Sequence, residues 1–381
     1  MSKTQPYDWD PRSPEVLENQ IAAYDDMRAR CPVARSRHGY TSLLRHADVL
    51  QAVLDHDTYS NAVSRFPSVP NGMDPPEHTQ FRRVIEPYFA PERMQAFEPV
   101  CRELSRALVR ALPDAQEVEF MQALAWPFAL HVQCAFMGWP ESLHQPLQTW
   151  VGRNREATLR VDFDAMAAVA LEFDSYVREQ LTIRREAGDA APDDVTTRLL
   201  HEKVEGRPLT EEEIISIVRN WTVGELGTIA SSVGILAEYL VRHPQLQQQL
   251  RQNPTLLPAA TDEILRMNGP LIMNRRRITR DVTVRGRTLH QDERIALIWA
   301  SANRDEDVFG DPDDYQPERN AAHNLLYGAG VHVCPGAPLA RLEMRVLMEE
   351  LLAGTTSIEQ GVRHPTRAFF PSSGFSELPL C

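Results

Sequence analysis

Ten residues, YGAGVHVCPG at 327–336, set one thiol, Cys334, among three glycines, a histidine and a proline, directly ahead of the strongly helical ARLEMRVLMEELL. A thiolate persists at neutral pH only with help from free backbone N–H groups, the positive end of a helix, or a metal. Gly336 and a helix from about Pro338 supply the first two, while Gly328 and Gly330 remove side-chain bulk from one side, as a close-lying flat cofactor requires. Two other readings stand beside this one. The glycines mimic a G-x-G-x-x-G dinucleotide loop, but Val333 occupies the third glycine position and no strand with a following ribose-binding acid accompanies it. Cys334 also suits a small buried apolar residue at a helix start.

Further reactive groups are spread along the chain. DPPEHTQFRR carries His78 and Arg82 at i,i+4 on one helix face, Arg276 lies in NRRRITRDVTV, and DEILR spaces Glu263 and Arg266 three apart. In LTEEEIISIVRNWTVGELGTIASSVGILAEYLVRHP, Gly224 and Gly227 share a face, and each costs about 1 kcal/mol against alanine inside a helix. Either another helix packs tightly there or something else must come close. Glu225 and Thr228 are i,i+3 and also share a face, so a carboxyl group and a hydroxyl can be linked through a water. His131 and Cys134 are two metal-ligand types without a third. Arg153, Arg155 and Arg160 either line an entrance that favours a carboxylate or are solvated helix arginines.

The loop Tyr327, Gly328, Gly330, His332, Cys334, Gly336 resembles the cysteine-ligand loop of the cytochromes P-450, the haem-thiolate monooxygenases, with pattern F-G-x-G-x-H-x-C-x-G; only Tyr327 departs from it. Glu263 and Arg266 resemble the family's E-x-x-R, Arg319 in YQPER the arginine that completes its buried charge triad, and ANRDEDVF the segment just before it. The matches run in family order from the helix near Pro14 to the one after Pro338, and are most like the bacterial class I members. The resemblance implies haem b, iron protoporphyrin IX, with Cys334 as its axial ligand. Such a thiolate pushes electron density onto iron and favours O–O cleavage. His78, Arg82, Arg276 and His332 would meet the propionates, with Tyr327, Gly328, Gly336 and Gly224 also against the cofactor. In the family's A-G-x-[D/E]-T motif the alcohol matches Thr228, but Gly227 stands where the acid belongs. Glu225 is therefore the candidate proton source, and Thr228 and Glu225 are the catalytic candidates.

The implied reaction is oxidation of a small organic substrate by dioxygen, with electrons from a separate ferredoxin and its reductase docking near Cys334. The missing acid keeps a peroxide-driven or non-oxygenating haem-thiolate enzyme open, and a haem-based sensor is the alternative outside enzymology. Substrate choice is expected to lie in loops such as 61–73 and 153–165.

The elements that must position these groups read as mainly helical. Apolar spacing and breakers predict helices over 14–30, 92–112, 122–137, 165–186 and 211–241, the last opened by a Thr210/Glu213 capping box, with a Gln-rich amphipathic helix at 244–254. Strand-like runs are confined to 40–44 and 282–300. No repeat or linker divides the 381 residues, so one domain over 1–381 is expected; the resemblance implies a triangular-prism helical body with a small β-sheet region. A 43% hydrophobic fraction supports a true core, and a net charge of −13 disfavours nucleic acid and anionic membranes. With no signal-like start, no long apolar run and five scattered cysteines, a soluble cytoplasmic protein without a disulfide framework is expected.

Overall fold

The computed structural model describes residues 6–64, 68–114, 116–370 and 373–381. Its helical body is built on eight principal helices: α1 (Glu77–Ile85), α2 (Pro91–Arg110), α3 (Trp126–Met137), α4 (His144–Arg160), α5 (Phe163–Ala187), α6 (Glu211–Arg242), α7 (Leu257–Met267) and α8 (Ala337–Gly354). The longest, α6, starts at the predicted capping box, in which the Thr210 hydroxyl accepts from the Glu213 N–H and the Glu213 carboxylate from the Thr210 N–H. It stops before Pro244, which opens the next helix, Pro244–Gln252. Most of α6 is buried because α3, α5, α7 and α8 all pack on it, while α2 lies along α8. Outside that seam, Arg102 pairs with Glu98 and Glu349 and Arg345 with Glu98, tying α2 to α8 through charge as well as apolar contact.

Local chemistry adjusts the predicted boundaries. The stretch 14–30 is two helices, because Asn19 leaves helical geometry to cap the second one at Ala22 N–H. Pro127 has no N–H to continue a helical ladder, and the turn ahead of it, Met121–Ala125, is a π turn leading into α3.

Strands extend beyond the two predicted places. A five-stranded sheet contains β1 (Val33–Arg35), β2 (Thr41–Leu43), β3 (Tyr59–Ser60), β4 (Met273–Ile278) and β5 (Arg294–Ile298), in the order β1-β2-β5-β4-β3. β5 runs parallel to β2 and the other pairings are antiparallel. The strand β4, MNRRRI, is too rich in arginine to read as a strand, yet Arg276 and Ile278 turn inward while Arg275 and Arg277 face solvent. The 282–300 run divides into a short hairpin, Val282–Val284 with Arg287–Leu289, and then β5; Trp299 and Ala300 already begin a helical turn.

Candidate active site

The cysteine loop is a compact turn ahead of α8. Cys334 N–H donates to the Tyr327 carbonyl at 2.9 Å and Val333 N–H to that of Gly330 at 3.1 Å. Gly328 and Gly330 adopt φ of +71° and +69°, and a Cβ on Gly330 would stand 2.7 Å from the Val53 carbonyl oxygen. Both glycines thus permit the turn, and Gly330 in addition its seat against Val53, whereas a Cβ on Gly328 would stand 4.0 Å from the His332 carbonyl oxygen. Gly336 does approach the sulfur, since a Cβ there would lie 4.0 Å from Cys334 Sγ and 3.8 Å from the Phe89 ring.

Cys334 keeps open surface, yet the protein crowds it enough that burial raises its thiol pKa. The Gly336 and Ala337 N–H groups and the Arg82 and Arg341 charges pull the other way without prevailing. A metal bound at this sulfur would favour its thiolate form. The Tyr327 ring is covered by the Arg341 guanidinium at 4.4 Å, and its buried hydroxyl has no hydrogen-bond partner among the described residues.

Four basic side chains from three segments converge. The His78 and His332 rings lie 4.1 Å apart, at 52°. Arg82, on α1, donates to the Val333 carbonyl at 2.8 Å and pairs with Glu86 at 2.9 Å. Arg276 is buried on β4, where its guanidinium donates to the Arg275 carbonyl at 2.8 Å. Burial pushes Arg276 down to about 10, and burial with neighbouring positive charge pushes His78 down to about 4 and His332 to about 3. Both nitrogens of His78 and Nε2 of His332 are buried without partners among the described residues. Such groups ask for an anionic acceptor, and His56, which sequence reasoning passed over, adds to the same field.

The other bare surface is the middle of α6. Val223 is 48% exposed and Gly224 is open, although Trp221, Thr222, Leu226 and Ile229 around them are buried. A Cβ on Gly224 or Gly227 would meet nothing within 4 Å among the described residues, so the glycines border open space and do not serve tight helix packing. Thr228 donates its hydroxyl to the carbonyls of Gly224 at 2.6 Å and Glu225 at 3.2 Å. The Glu225 carboxyl is not directed at that hydroxyl. In the amide orientation that satisfies both ends, Gln133 of α3 donates to Glu225 Oε2 at 2.6 Å and Oε1 at 3.2 Å and accepts from Thr222 at 2.9 Å.

Glu263 and Arg266 form the expected buried pair at 2.8 Å, with side chains 2% and 0% exposed. Arg319 does not join them. It is half exposed, donating to the Phe309 carbonyl and to Asn320, and the third partner of Glu263 is Asn320, at 2.7 Å. One position along a short helix decides this, since Asn320 is the residue turned into the core. Of the remaining candidates, Cys134 is core, His131 stacks on His144 at 4.1 Å, and Arg153 pairs with Glu172 and Arg160 with Glu156. Of the loop 61–73, residues 65–67 lie outside the described residues. No described helix is long and apolar enough to cross a membrane.

An uncovered sulfur at a helix start, a basic cluster with unpartnered imidazoles and an open stretch of a buried helix together fit a flat, iron-bearing dicarboxylate such as haem. The comparisons agree. The family model described as Cytochrome P450 matches residues 119–354. The chain is 32% identical to the erythromycin C-12 hydroxylase of Saccharopolyspora erythraea, covering 86% of this chain and 85% of that protein. Linalool 8-monooxygenase of Pseudomonas putida is 30% identical, with 82% of each chain covered. The solved structure of cytochrome P450 CYP109Q5 from Chondromyces apiculatus superposes with a TM-score of 0.87 at 27% identity, over 98% of this chain and 97% of that one. The mainly helical body with its small sheets is that family's fold, and haem held by a cysteine thiolate is its cofactor. The chain belongs to the cytochrome P450 family and is a haem-thiolate monooxygenase.

Proposed function

We propose that Cys334 is the axial thiolate, that His78, Arg82, Arg276 and His332 hold the propionates, and that Tyr327, Gly328, Gly336 and Gly224 border the ring. The observation that carries this reading is the convergence of four basic groups, two of them imidazoles with unpartnered nitrogens, beside a sulfur left uncovered. When bound, haem supplies the activation of dioxygen for insertion of one oxygen atom into a small organic substrate. Around it, Thr228 offers a hydroxyl to the oxygen side, Glu225 is the nearest acid on the same helix, and Glu263, Arg266 and Asn320 keep the support of the cysteine loop rigid. A ferredoxin and its reductase supply the electrons, by likeness to bacterial members of the family. We take 1–381 as one domain acting in the cytoplasm.

Two samples test the assignment. Reduced, carbon-monoxide-treated protein is expected to show the long-wavelength Soret band of a thiolate-bound haem, and Cys334→Ala to lose it. Survival of that band in the variant overturns the ligand assignment. Product formed with a surrogate ferredoxin, reductase and NADH supports the electron route, whereas product formed only with added peroxide overturns it.

A further inference from the structure

One row of residues runs across four strands of the five-stranded sheet: Ala34 of β1 pairs with Ser42 of β2, Ser42 with Ala296 of β5, and Ala296 with Arg275 of β4. Paired residues share a face, so this row looks away from Arg276 and its partner Ile295. The Ile295 side packs with Val53, Leu325 and Ala329 next to the cysteine loop. The opposite side is covered by Trp9, by Tyr24 and Met27 of the helix Gln20–Arg30, and by Tyr40 and Phe370. Its floor is therefore three small side chains that end in a guanidinium.

Polar atoms are left over in this layer. Trp9 Nε1, Arg12 Nε, Ser42 Oγ and the hydroxyls of Tyr24 and Tyr40 are all buried without a hydrogen-bond partner among the described residues. They are neighbours: the Trp9 and Tyr24 rings meet edge to face at 5.8 Å, the Arg12 guanidinium lies 5.4 Å from the Phe370 ring centre, and Tyr40 is within electrostatic reach of Tyr24, Arg12 and Arg275. The indole and guanidinium groups can only donate, and burial keeps both phenols protonated, so they can donate too. Neither Arg12 nor Arg275 has an anionic partner among the described residues. Asp10, the acid that Tyr40 senses, is already taken by His38 at 2.8 Å and by the Arg12 backbone N–H at 2.9 Å. Buried donors in such number, beside two unpaired cations, call for an anion.

We infer that this layer is a second binding site, on the sheet face turned away from the cysteine loop, for a small organic carboxylate. The two carboxylate oxygens offer about four acceptor positions, which Arg12, Tyr24, Tyr40 and Trp9 fill. Arg275 is exposed and stands at the open end, where it adds charge. Phe370, under the Arg12 guanidinium, and its neighbour Phe369, 48% exposed, give the apolar body of the ligand a wall, which favours an organic acid over a hydrated inorganic ion. The segment that carries these rings is already tied to the first helices, since Gln20 donates to the Ala368 carbonyl at 3.2 Å and accepts from the Phe370 N–H at 2.9 Å. An occupant held by Arg12 on one side and the Phe370 segment on the other adds to that tie and stabilises the fold. The site does not depend on the contacts assigned to haem.

The test is isothermal titration of holoenzyme with benzoate, with benzyl alcohol as the neutral match and acetate as the head group alone, repeated while imidazole saturates the haem iron. Benzoate is expected to bind one to one at millimolar concentration or below, with or without imidazole, to leave the Soret band in place and to raise the melting temperature. Benzyl alcohol and acetate are expected to bind about ten-fold more weakly or less. Affinity for benzoate is expected to fall about ten-fold or more in Arg12→Gln and about three-fold or more in Tyr40→Phe. Benzoate that does not bind, or that binds only while the iron is free, overturns the second site. Unchanged affinity in the variants overturns the residues assigned to it; if Arg12→Gln does not fold, Tyr40→Phe, which loses only a hydroxyl, decides. Acetate or benzyl alcohol binding as tightly as benzoate overturns the organic carboxylate as the ligand.

Discussion

At the scale of single residues, the buried charges show how much one position matters. Glu263 satisfies Arg266, Asn320 and the Gln316 N–H together, so Glu263→Ala strands a guanidinium with no exposed surface. Removing one partner of such a pair costs about 3–5 kcal/mol. Arg319, half exposed and bonded to a backbone carbonyl, is expected to tolerate alanine within about 0.5 kcal/mol. Urea unfolding of the two variants separates them, and a large loss in Arg319→Ala would contradict the arrangement around Asn320. Motif matching located Glu263 and Arg266, since the spacing is their signature, but it assigned the neighbouring arginine because Asn320 has no charge to attract notice.

At the scale of elements, the cysteine loop depends on backbone shape as much as on its thiol. Gly330 combines a positive φ with a Val53 carbonyl oxygen 2.7 Å from where a Cβ would lie. Gly330→Ala is expected to destabilise the loop by about 1–3 kcal/mol and to lower haem retention, read as absorbance per polypeptide after gel filtration. Gly336 has φ of −81° and no contact under 3.8 Å, so alanine there should retain haem better than at 330. The long helix α6 makes the complementary point. Its capping box and stop were plain in the sequence, but the purpose of its two inner glycines was not, because a packed and an open helix face require the same residue.

At the scale of the whole molecule, two neighbouring buried acids, Glu225 of α6 and Glu343 of α8, couple stability to pH. Both acids titrate higher when folded than unfolded, so the native state binds more protons above the ordinary carboxyl range near 4.5. Their contribution is fully present below that range and is lost as pH rises through about 8. The melting temperature of the wild type is expected to fall more steeply between these limits than that of Glu343→Gln, which keeps a hydrogen-bond donor but has no proton to lose. Parallel profiles from scanning calorimetry would show that the pair is not the cause.

The sequence by itself determined the fold class and singled out Cys334 as the candidate thiol, because cap residues, apolar spacing and the cysteine loop act locally and leave a local signature. It also marked His78, Arg82, Arg276 and His332, whose chain separations conceal that they meet. Tertiary structure alone decided three things: that MNRRRI is a strand with Arg276 turned inward, that Asn320 rather than Arg319 completes the buried network, and that Glu225 faces Glu343. Each depends on which face of an element another segment covers. That choice is made by packing between residues more than a hundred positions apart in the last case, and by one-residue differences of register in the other two.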